Sequence, residues 1–290
     1  QSETVWNQAD RYRVPRIAFI NKMDRTGADF QEAVNQMNKY LDANAVPFQL
    51  PMGAEDSFKG TIDLINRIAF TFENNQRQEN PIPAEYKEQA EAARNFIVEK
   101  LSDFDDEIAE LFLEEQDIPA EMLMKAARNA TLKLLITPVF CGAAYKNIGM
   151  QLLLDAVVNF LPSPVDVGAV VGDDLDIADK THSRNPSSSD HFAALAFKLI
   201  NDPYVGQQTF IRIFSGKLTN GMQIYNSSKL KYERVGRIFR IKAKEREEIH
   251  EAGASEIVAL VGMKYSKTGD TLCDPDNPLL LERIHIPVSV

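Results

Sequence analysis

The residues most suited to specific chemistry in this sequence are Asn21, Lys22 and Asp24, which stand together in the tetrapeptide Asn-Lys-Met-Asp. A carboxylate at Asp24 can accept two hydrogen bonds at once, which suits the ring N1–H and the exocyclic amine of guanine. Asn21 can donate to the base N7 and tie this loop to its neighbours. The aliphatic stem of Lys22 can lie flat over the base. The tetrapeptide therefore predicts a guanine-binding loop.

The same carboxylate explains how such a loop rejects adenine. Adenine presents neither donor at that edge, so it leaves the buried charge of Asp24 unpaired, and such a mismatch gives roughly 10⁴-fold discrimination or more. The alternative is a polar loop that matches the pattern by chance, a risk of every short motif. The context favours guanine, because an apolar run at 17–20 precedes the loop, and Thr26-Gly27 and a helical pattern follow it.

A second loop, Cys141-Gly142-Ala143-Ala144, stands in the same context, after an apolar run at 137–140 and before a helical pattern. In a doubly wound sheet, ligands bind beyond the carboxyl ends of the strands. The two loops can therefore close around one base, with Ala143 beside it and the N–H of Ala144 directed at the guanine O6. A plain strand-to-helix turn accounts for these four residues equally well, so on their own they leave both interpretations open.

The elements that must position these loops follow from apolar periodicity. Continuous apolar runs at 17–20 and 137–140 are typical of strands buried on both faces of a parallel sheet. The other predicted strands of the first half cover residues 48–53 and 60–65. The predicted helices cover residues 2–12, 85–101 and 149–160, and one more begins after a cap at Asp29. This alternation predicts an α/β domain.

The pattern changes in the last third of the chain. Residues 165–190 are rich in Asp, Ser and Gly without a period, which predicts a linker. Short apolar stretches separated by glycines follow, and they predict a small antiparallel β-barrel. These stretches cover residues 195–197, 210–213, 223–225, 235–238 and 257–261.

Composition limits the classes of protein to consider. A chain of 290 residues suggests two or three domains, and 44% apolar content allows a large core. No run of about 18 apolar residues is present, so no membrane partner is expected. The two cysteines and four histidines lack metal-ligand spacing, so no metal site is expected, and the cysteine usage fits a reducing compartment such as the cytoplasm. The first residue is not Met, from which we expect a piece of a longer protein.

Charge is distributed unevenly. The net charge of −10 argues against a dedicated nucleic-acid binder. One acidic stretch comprises Asp103, Asp105, Asp106, Glu107, Glu110, Glu114 and Glu115. A basic stripe in the last third comprises Lys229, Lys231, Arg234, Arg237, Arg240, Lys242, Lys244 and Arg246. The acidic stretch is either a solvated helix face or a docking surface for a basic partner. The basic stripe is either an ordinary mixed surface or a phosphate-binding one.

Several stretches together resemble the elongation factor G family of translational GTPases over nearly the whole chain. They are residues 15–28 (PRIAFINKMDRTGA), 136–142 (ITPVFCG), 161–164 (LPSP), 202–206 (DPYVG) and 268–272 (TGDTL). The resemblance implies that residues 1–164 are the second half of a P-loop-type GTPase domain, with an inserted α+β subdomain at about 46–133. Residues 165–190 would then be the linker, and residues 191–290 the antiparallel β-barrel domain.

The resemblance also implies a function. It implies a cytoplasmic, monomeric protein that binds GTP or GDP with Mg²⁺ and moves tRNA and mRNA on the ribosome. The ribosomal stalk protein would contact the acidic stretch, and ribosomal RNA the basic stripe. The guanine-binding residues would be Asn21, Lys22, Asp24, Ala143 and Ala144. The family usually has Ser where this chain has Ala143, which removes a hydroxyl worth about 0.5–1.5 kcal/mol.

One departure from the family pattern is larger. The Gly-rich phosphate loop, the magnesium-binding Thr loop and the Asp-x-x-Gly-His segment are all missing from these 290 residues. We therefore expect a fragment that has no catalytic residues and does not hydrolyse GTP, although the full protein is a GTPase. Two alternatives stay open, a ribosome-recycling or ribosome-protection relative and a non-catalytic ribosome-binding module. A dehydrogenase would need a Gly-x-Gly-x-x-Gly turn, which the sequence lacks.

Overall fold

Thr137–Cys141 forms the central strand of a three-stranded parallel sheet, and all five of its residues are buried. The computed structural model that shows this describes residues 2–73, 76–202, 206–243 and 245–282. They fall into two units, Gln1–Pro162 and Ser163–Val290, which are called the first and second unit below. Residues 203–205 of the DPYVG stretch and Lys244 of the basic stripe lie outside the described residues.

The first unit alternates between helices and strands. Its helices are α1 (Ser2–Arg11), α2 (Phe30–Leu41), α3 (Lys87–Ser102), α4 (Asp106–Leu113), α5 (Ala120–Leu132) and α6 (Met150–Phe160). Its strands are β1 (Ala18–Ile20), β2 (Ala45–Pro47), β3 (Gln49–Met52), β4 (Gly60–Asp63), β5 (Ile68–Glu73), β6 (Gln76–Asn80) and β7 (Thr137–Cys141). Single 3₁₀ turns cover Glu55–Ser57, Ala84–Tyr86 and Ala144–Lys146.

Two sheets share the core of the first unit. The parallel sheet has the order β1-β7-β2, with Ala18 opposite Val139 and Ala45 opposite Thr137. The antiparallel sheet has the order β3-β4-β5-β6. This sheet and helices α3, α4 and α5 lie within residues 46–133, where the resemblance predicts an inserted subdomain, and the apolar side chains of the sheet join those of the parallel sheet in one cluster. The predicted cap of α2 is confirmed, because Asp29 accepts a hydrogen bond from the N–H of Glu32 at 2.9 Å.

The second unit is built almost entirely from antiparallel strands. It contains α7 (Pro164–Val167), β8 (Val170–Asp173), β9 (Thr181–Arg184), β10 (Ala193–Asp202), β11 (Gly206–Ser215), β12 (Lys217–Thr219), β13 (Gln223–Asn226), β14 (Lys231–Arg234), β15 (Arg237–Lys242), β16 (Glu245–Ile249), β17 (Glu251–Gly253), β18 (Ile257–Val261), β19 (Thr271–Cys273) and β20 (Leu280–Leu281). The main sheet has the order β14-β13-β19-β10-β11-β18-β15-β16, and β12 pairs with β17. The predicted order of an α/β domain followed by an antiparallel β-rich domain is confirmed.

Two local predictions differ from the structure. Residues 165–190, predicted as a linker, contain β8 and β9, which pair with each other and with β20 in the second unit. The strand predicted over 235–238 begins at Arg237 and continues to Lys242. Gly236, just before it, lies so close to Val261 that a Cβ there would stand 2.1 Å from the Val261 carbonyl oxygen. None of the described helices combines the length and the apolarity needed to cross a bilayer.

Candidate functional site

The two predicted guanine loops leave neighbouring parallel strands. Residues 21–29 follow β1 and residues 142–149 follow β7, and the last residues of these strands, Ile20 and Cys141, lie opposite each other in the register. Because both strands are parallel, both loops leave the same edge of the sheet, where open α/β sheets bind their ligands. The sequence therefore placed these loops correctly relative to each other.

Three hydrogen bonds tie the two loops together beyond the ends of the strands. The N–H of Gly142 donates to the Ile20 carbonyl at 3.0 Å, and the N–H of Met23 donates to the Gly142 carbonyl at 3.1 Å. The N–H of Ala144 donates to the side-chain oxygen of Asn21 at 3.0 Å. Asn21 thus ties its loop to a neighbour, as its residue type predicts. The N–H of Ala144, predicted to face a guanine O6, is instead engaged by this nearest acceptor on the adjacent loop.

The first loop is fixed by its one apolar residue. Met23 is only 2% exposed, and its carbonyl accepts a hydrogen bond from the N–H of Glu55 at 3.1 Å. Lys22 is exposed and has a φ of 63°, a left-handed conformation that is uncommon outside glycine, and its N–H donates to Asn21 Oδ1 at 2.7 Å. The buried Met23 and the left-handed Lys22 therefore hold the polar side chains of the tetrapeptide at the surface edge of the sheet.

Asp24 lies against the second loop, as the guanine hypothesis requires. Its side chain is 9% exposed, and its Oδ2 is 3.2 Å from the Nζ of Lys146, which is 48% exposed. Burial raises the pKa of the Asp24 carboxyl, but the hydrogen bond and charge of Lys146, with smaller help from Arg25, outweigh burial and hold this pKa below its usual value. The carboxylate is therefore ionised at neutral pH, in the state that accepts hydrogen bonds from a base.

The second loop is built on a close approach of two backbone segments. A Cβ at Gly142 would stand 2.4 Å from the Ile148 carbonyl oxygen and 2.6 Å from the Phe19 ring, so only glycine fits there. Ala143 is 1% exposed and exchanges two backbone hydrogen bonds with Ile148, at 3.0 and 3.1 Å. The methyl group of Ala143 thus packs in the core, and the loop keeps its shape without the hydroxyl that the resemblance would place there.

Two residues of the site were missed by sequence reasoning. Lys146 is the last residue of the 3₁₀ turn that follows Ala143, and it supplies the cation beside Asp24. Glu55 accepts a hydrogen bond from the N–H of Gly27 at 2.7 Å and so braces the end of the first loop. The sequence does show Lys146 two positions after Ala144, next to the predicted second loop, and this proximity could have pointed to it. No sequence signal connects Glu55 to a loop 28 positions earlier.

The predicted basic stripe of the second unit divides into two parts. In the β15–β16 hairpin, Arg240 lies opposite Glu247 and Lys242 opposite Glu245, so that cations face carboxylates across the hairpin. Arg240 also makes an ion pair of 2.7 Å with Glu256. This half of the stripe is largely neutralised by its own neighbours and does not form a continuous basic surface.

The other half of the stripe joins two exposed tyrosines. We call Lys231, Tyr232, Arg234, Lys264 and Tyr265 the tyrosine–lysine face. The two tyrosine side chains are 59% and 45% exposed, and the Nζ of Lys231 lies 4.4 Å from the centre of the Tyr265 ring. All members except Lys231 line a surface hollow of ≈ 590 Å³. Exposed rings among cations are typical of surfaces that bind single-stranded nucleic acid.

A buried carboxylate positions the loop that carries Tyr265. Glu233 is 5% exposed and accepts hydrogen bonds from the N–H groups of Lys264 and Tyr265, at 2.8 and 3.0 Å, and from the hydroxyl of Ser266 at 2.5 Å. Because a buried carboxylate without such partners is strongly unfavourable, these contacts fix the loop to β14. The tyrosine–lysine face is therefore a formed surface.

The acidic stretch begins at Asp103, directly after α3, and runs through α4 to Glu115. Asp105 caps α4 by accepting from the N–H of Ile108, and the other six carboxylates are exposed. Leu113 is 81% exposed and Phe112 39% exposed among them. The segment is thus an acidic surface with two uncovered apolar side chains. Among the described residues, no group of three His, Cys, Asp or Glu side chains could hold a metal ion.

Comparison with known proteins bears on both units. Residues 1–163 match the family model of the elongation factor Tu GTP binding domain, and residues 191–275 match that of elongation factor G domain 2. A crystal structure of a protein from Thermus thermophilus is similar in fold, with a TM-score of 0.78 over 99% of this chain at 24% sequence identity. The chain spans 40% of the length of that protein.

Proposed function

Because the chain belongs to the translational GTPase family, whose GTP-binding domain model covers 163 of its 290 residues, we propose that its first unit reads the guanine base of GTP and GDP. The observation that carries the proposal is the position of Asp24. Its ionised carboxylate lies at the ligand-binding edge of the parallel sheet, beside the loop that contains Ala143 and Ala144. We further propose that the protein acts as an elongation factor of the elongation factor G type, which moves tRNA and mRNA on the ribosome.

Each residue of the site has a separate role in the proposal. Asp24 accepts hydrogen bonds from the N1–H and the exocyclic amine, and the stem of Lys22 covers the base. Asn21 donates its amide N–H to N7 while its oxygen holds the N–H of Ala144. The backbone of Ala143 and Ala144 closes the O6 side of the base. The specificity of the site thus comes from one carboxylate whose orientation two loops determine.

We do not assign binding or hydrolysis of the phosphates to residues of this chain. The 290 residues contain no Gly-x₄-Gly-Lys-Ser/Thr loop, and the described residues contain no group of metal-ligating side chains. When bound, Mg²⁺ neutralises charge on the phosphates during transfer. We therefore assign to this chain only recognition of the base, and we propose that the isolated polypeptide does not hydrolyse GTP.

A titration with nucleotides tests this proposal. We expect the isolated polypeptide to bind GDP weakly, with a dissociation constant on the order of 1 mM, and ADP more weakly still, because the base-reading groups are present and the phosphate loop is not. NMR chemical-shift changes at Asp24 and Ala144 would report the binding. Equal shifts with GDP and ADP would contradict the guanine assignment. Ribosome-stimulated hydrolysis of GTP by the purified polypeptide would contradict the assignment of phosphate chemistry elsewhere.

For the second unit we propose contact with ribosomal RNA through the tyrosine–lysine face. The support is the combination of two exposed tyrosine rings with three cations, Lys231, Arg234 and Lys264, which, unlike Arg240, make no ion pair within 4 Å among the residues that the structure describes. For the first unit we propose that the acidic stretch binds a basic surface of a ribosomal stalk protein. Its support is the exposed Leu113 among six exposed carboxylates. The proposed protein is a monomer of the cytoplasm and has no membrane partner.

Fluorescence anisotropy with a mixed-sequence single-stranded RNA tests the RNA surface. We expect Tyr265→Ala to weaken binding about 5- to 100-fold, because a stacked base is lost. Lys231→Ala should reduce the slope of log affinity against log salt by about 0.7. The control is Lys217→Ala, which removes the same charge from β12, where the lysine pairs with Glu251 at 3.7 Å. Equal effects of the two lysine variants would show that only net charge matters.

A further inference from the structure

The ion pair between Asp24 and Lys146 uses an oxygen that the proposed ligand also needs. It is Oδ2 of the carboxylate that lies 3.2 Å from the lysine Nζ. Guanine presents two donors at the edge that Asp24 reads, the N1–H and the exocyclic amine. Each donor takes one carboxylate oxygen. A carboxylate oxygen can accept two hydrogen bonds, so the exocyclic amine and the ammonium group of Lys146 can share Oδ2, but each then weakens the interaction of the other with that oxygen.

Hypoxanthine makes a smaller demand on the same carboxylate. It has the N1–H and the O6 of guanine but lacks the exocyclic amine. A single carboxylate oxygen satisfies its N1–H, so it can bind while Lys146 stays on the other oxygen. The two bases therefore differ in whether they have to share Oδ2 with the ammonium group of Lys146.

We propose that Lys146 sets how strongly the site discriminates guanine from hypoxanthine, by competing with the exocyclic amine for one oxygen of Asp24. This inference rests on the proposed function and adds a specificity-determining residue to it. Lys146 lowers the preference for guanine in the base-reading step, because only guanine places a donor on the oxygen that the ammonium group already uses. The residue acts through Asp24 and is not assigned a contact with the base.

The surroundings of Lys146 suit such a competitor. Its backbone is fixed, because its N–H donates to the Ala143 carbonyl at 3.0 Å within the 3₁₀ turn. Its side chain is 48% exposed, so the ammonium group can leave the carboxylate and be hydrated without any other rearrangement. The carboxylate is far less exposed, at 9%, and stays in place. The competition is therefore between a mobile cation and the ligand for a fixed acceptor.

The test compares GMP with IMP, which carry the same phosphate and ribose, so that the ratio of their dissociation constants reports the base alone. We expect Lys146→Met to increase the preference for GMP over IMP by up to about fivefold at low salt, as the strength of exposed ion pairs implies. In the unchanged protein the preference should rise with ionic strength, because salt screens the ion pair. In the Lys146→Met protein it should not depend on salt. Lys146→Arg keeps the cation and should retain both the lower preference and its salt dependence.

The outcomes separate this inference from the proposal on which it rests. Asp24→Asn is measured in the same titrations. If Asp24→Asn abolishes the preference for GMP but Lys146→Met leaves the ratio and its salt dependence unchanged, the role of Lys146 is overturned and the guanine site stands. A decrease of the ratio in Lys146→Met overturns it equally. If Asp24→Asn leaves the ratio unchanged, the proposed function itself is overturned. Because Lys146 is half exposed, its substitution leaves the fold intact, which NMR spectra of the variants verify.

Discussion

Asp24→Asn is expected to replace the preference for guanine nucleotides by a preference for xanthine nucleotides. An amide at this position keeps one acceptor but presents an N–H where guanine presents its amine, so two donors face each other. Xanthine has a carbonyl oxygen at that position and can accept from the amide. A site built to pair with a substrate donor rejects the wrong partner strongly, and we expect the ratio of the GDP and XDP dissociation constants to change by about 10²- to 10⁴-fold.

Competition between GDP and XDP measures this exchange. The matched control is Asp56→Asn, which makes the same chemical change on the exposed 3₁₀ turn Glu55–Ser57 and should leave the ratio unchanged. If Asp24→Asn keeps the original preference for GDP, Asp24 does not read the base.

The pH dependence of GDP binding to the unchanged protein is measured in the same titrations. The pKa of Asp24 lies below its usual value, so binding should be constant from neutral pH downward and be lost only as the pH falls through that lowered pKa.

Phe48→Ala is expected to destabilise the first unit by about 3–5 kcal/mol, the usual cost of removing a buried aromatic ring. Phe48 is 2% exposed and lies between β2 and β3, where the parallel sheet passes into the antiparallel one. Its ring meets those of Phe140 and Phe160 edge-on, at centroid distances of 6.0 and 5.2 Å. The substitution leaves a cavity at the point where β7, α6 and the second sheet share their core.

Chemical denaturation followed by tryptophan fluorescence measures this loss. The chain has one tryptophan, Trp6 on α1, so the signal reports the first unit and not the second. The matched control is Phe96→Ala on α3, where the ring is 39% exposed and the loss should be below about 1 kcal/mol. Equal losses in the two variants would mean that the aromatic cluster does not contribute more than surface packing.

The sequence predicted elements such as β7 and α6, but it missed exposed edge strands such as β6 and β16 and also elements with buried apolar residues such as α5 and β5. β7 and α6 bury apolar side chains and were predicted within two residues. β6 and β16 were not predicted. Every residue of β6 is exposed, and four of the five residues of β16 are. Both strands lie at the edge of a sheet, where the ladder of hydrogen bonds and not side-chain burial holds them.

The candidate site shows the same division between local and distant information. Asn21, Lys22 and Asp24 could be proposed from the sequence because one tetrapeptide contains all three. The ion pair of Asp24 with Lys146 could not, because it depends on how two loops 122 positions apart meet beyond the sheet. The basic stripe was overestimated for a related reason. Only the register of β15 with β16 reveals that Arg240 and Lys242 face carboxylates.

The hydrogen bonds that run from Gly142, Met23 and Ala144 across the sheet edge have a consequence for the affinity of the proposed guanine site. These bonds, with Met23 in the core, set both turns before any ligand arrives. A receptor that is already shaped gives up little conformational freedom on capture, so more of the interaction free energy appears as affinity. In the proposed guanine site, the base would therefore meet two turns that are already formed.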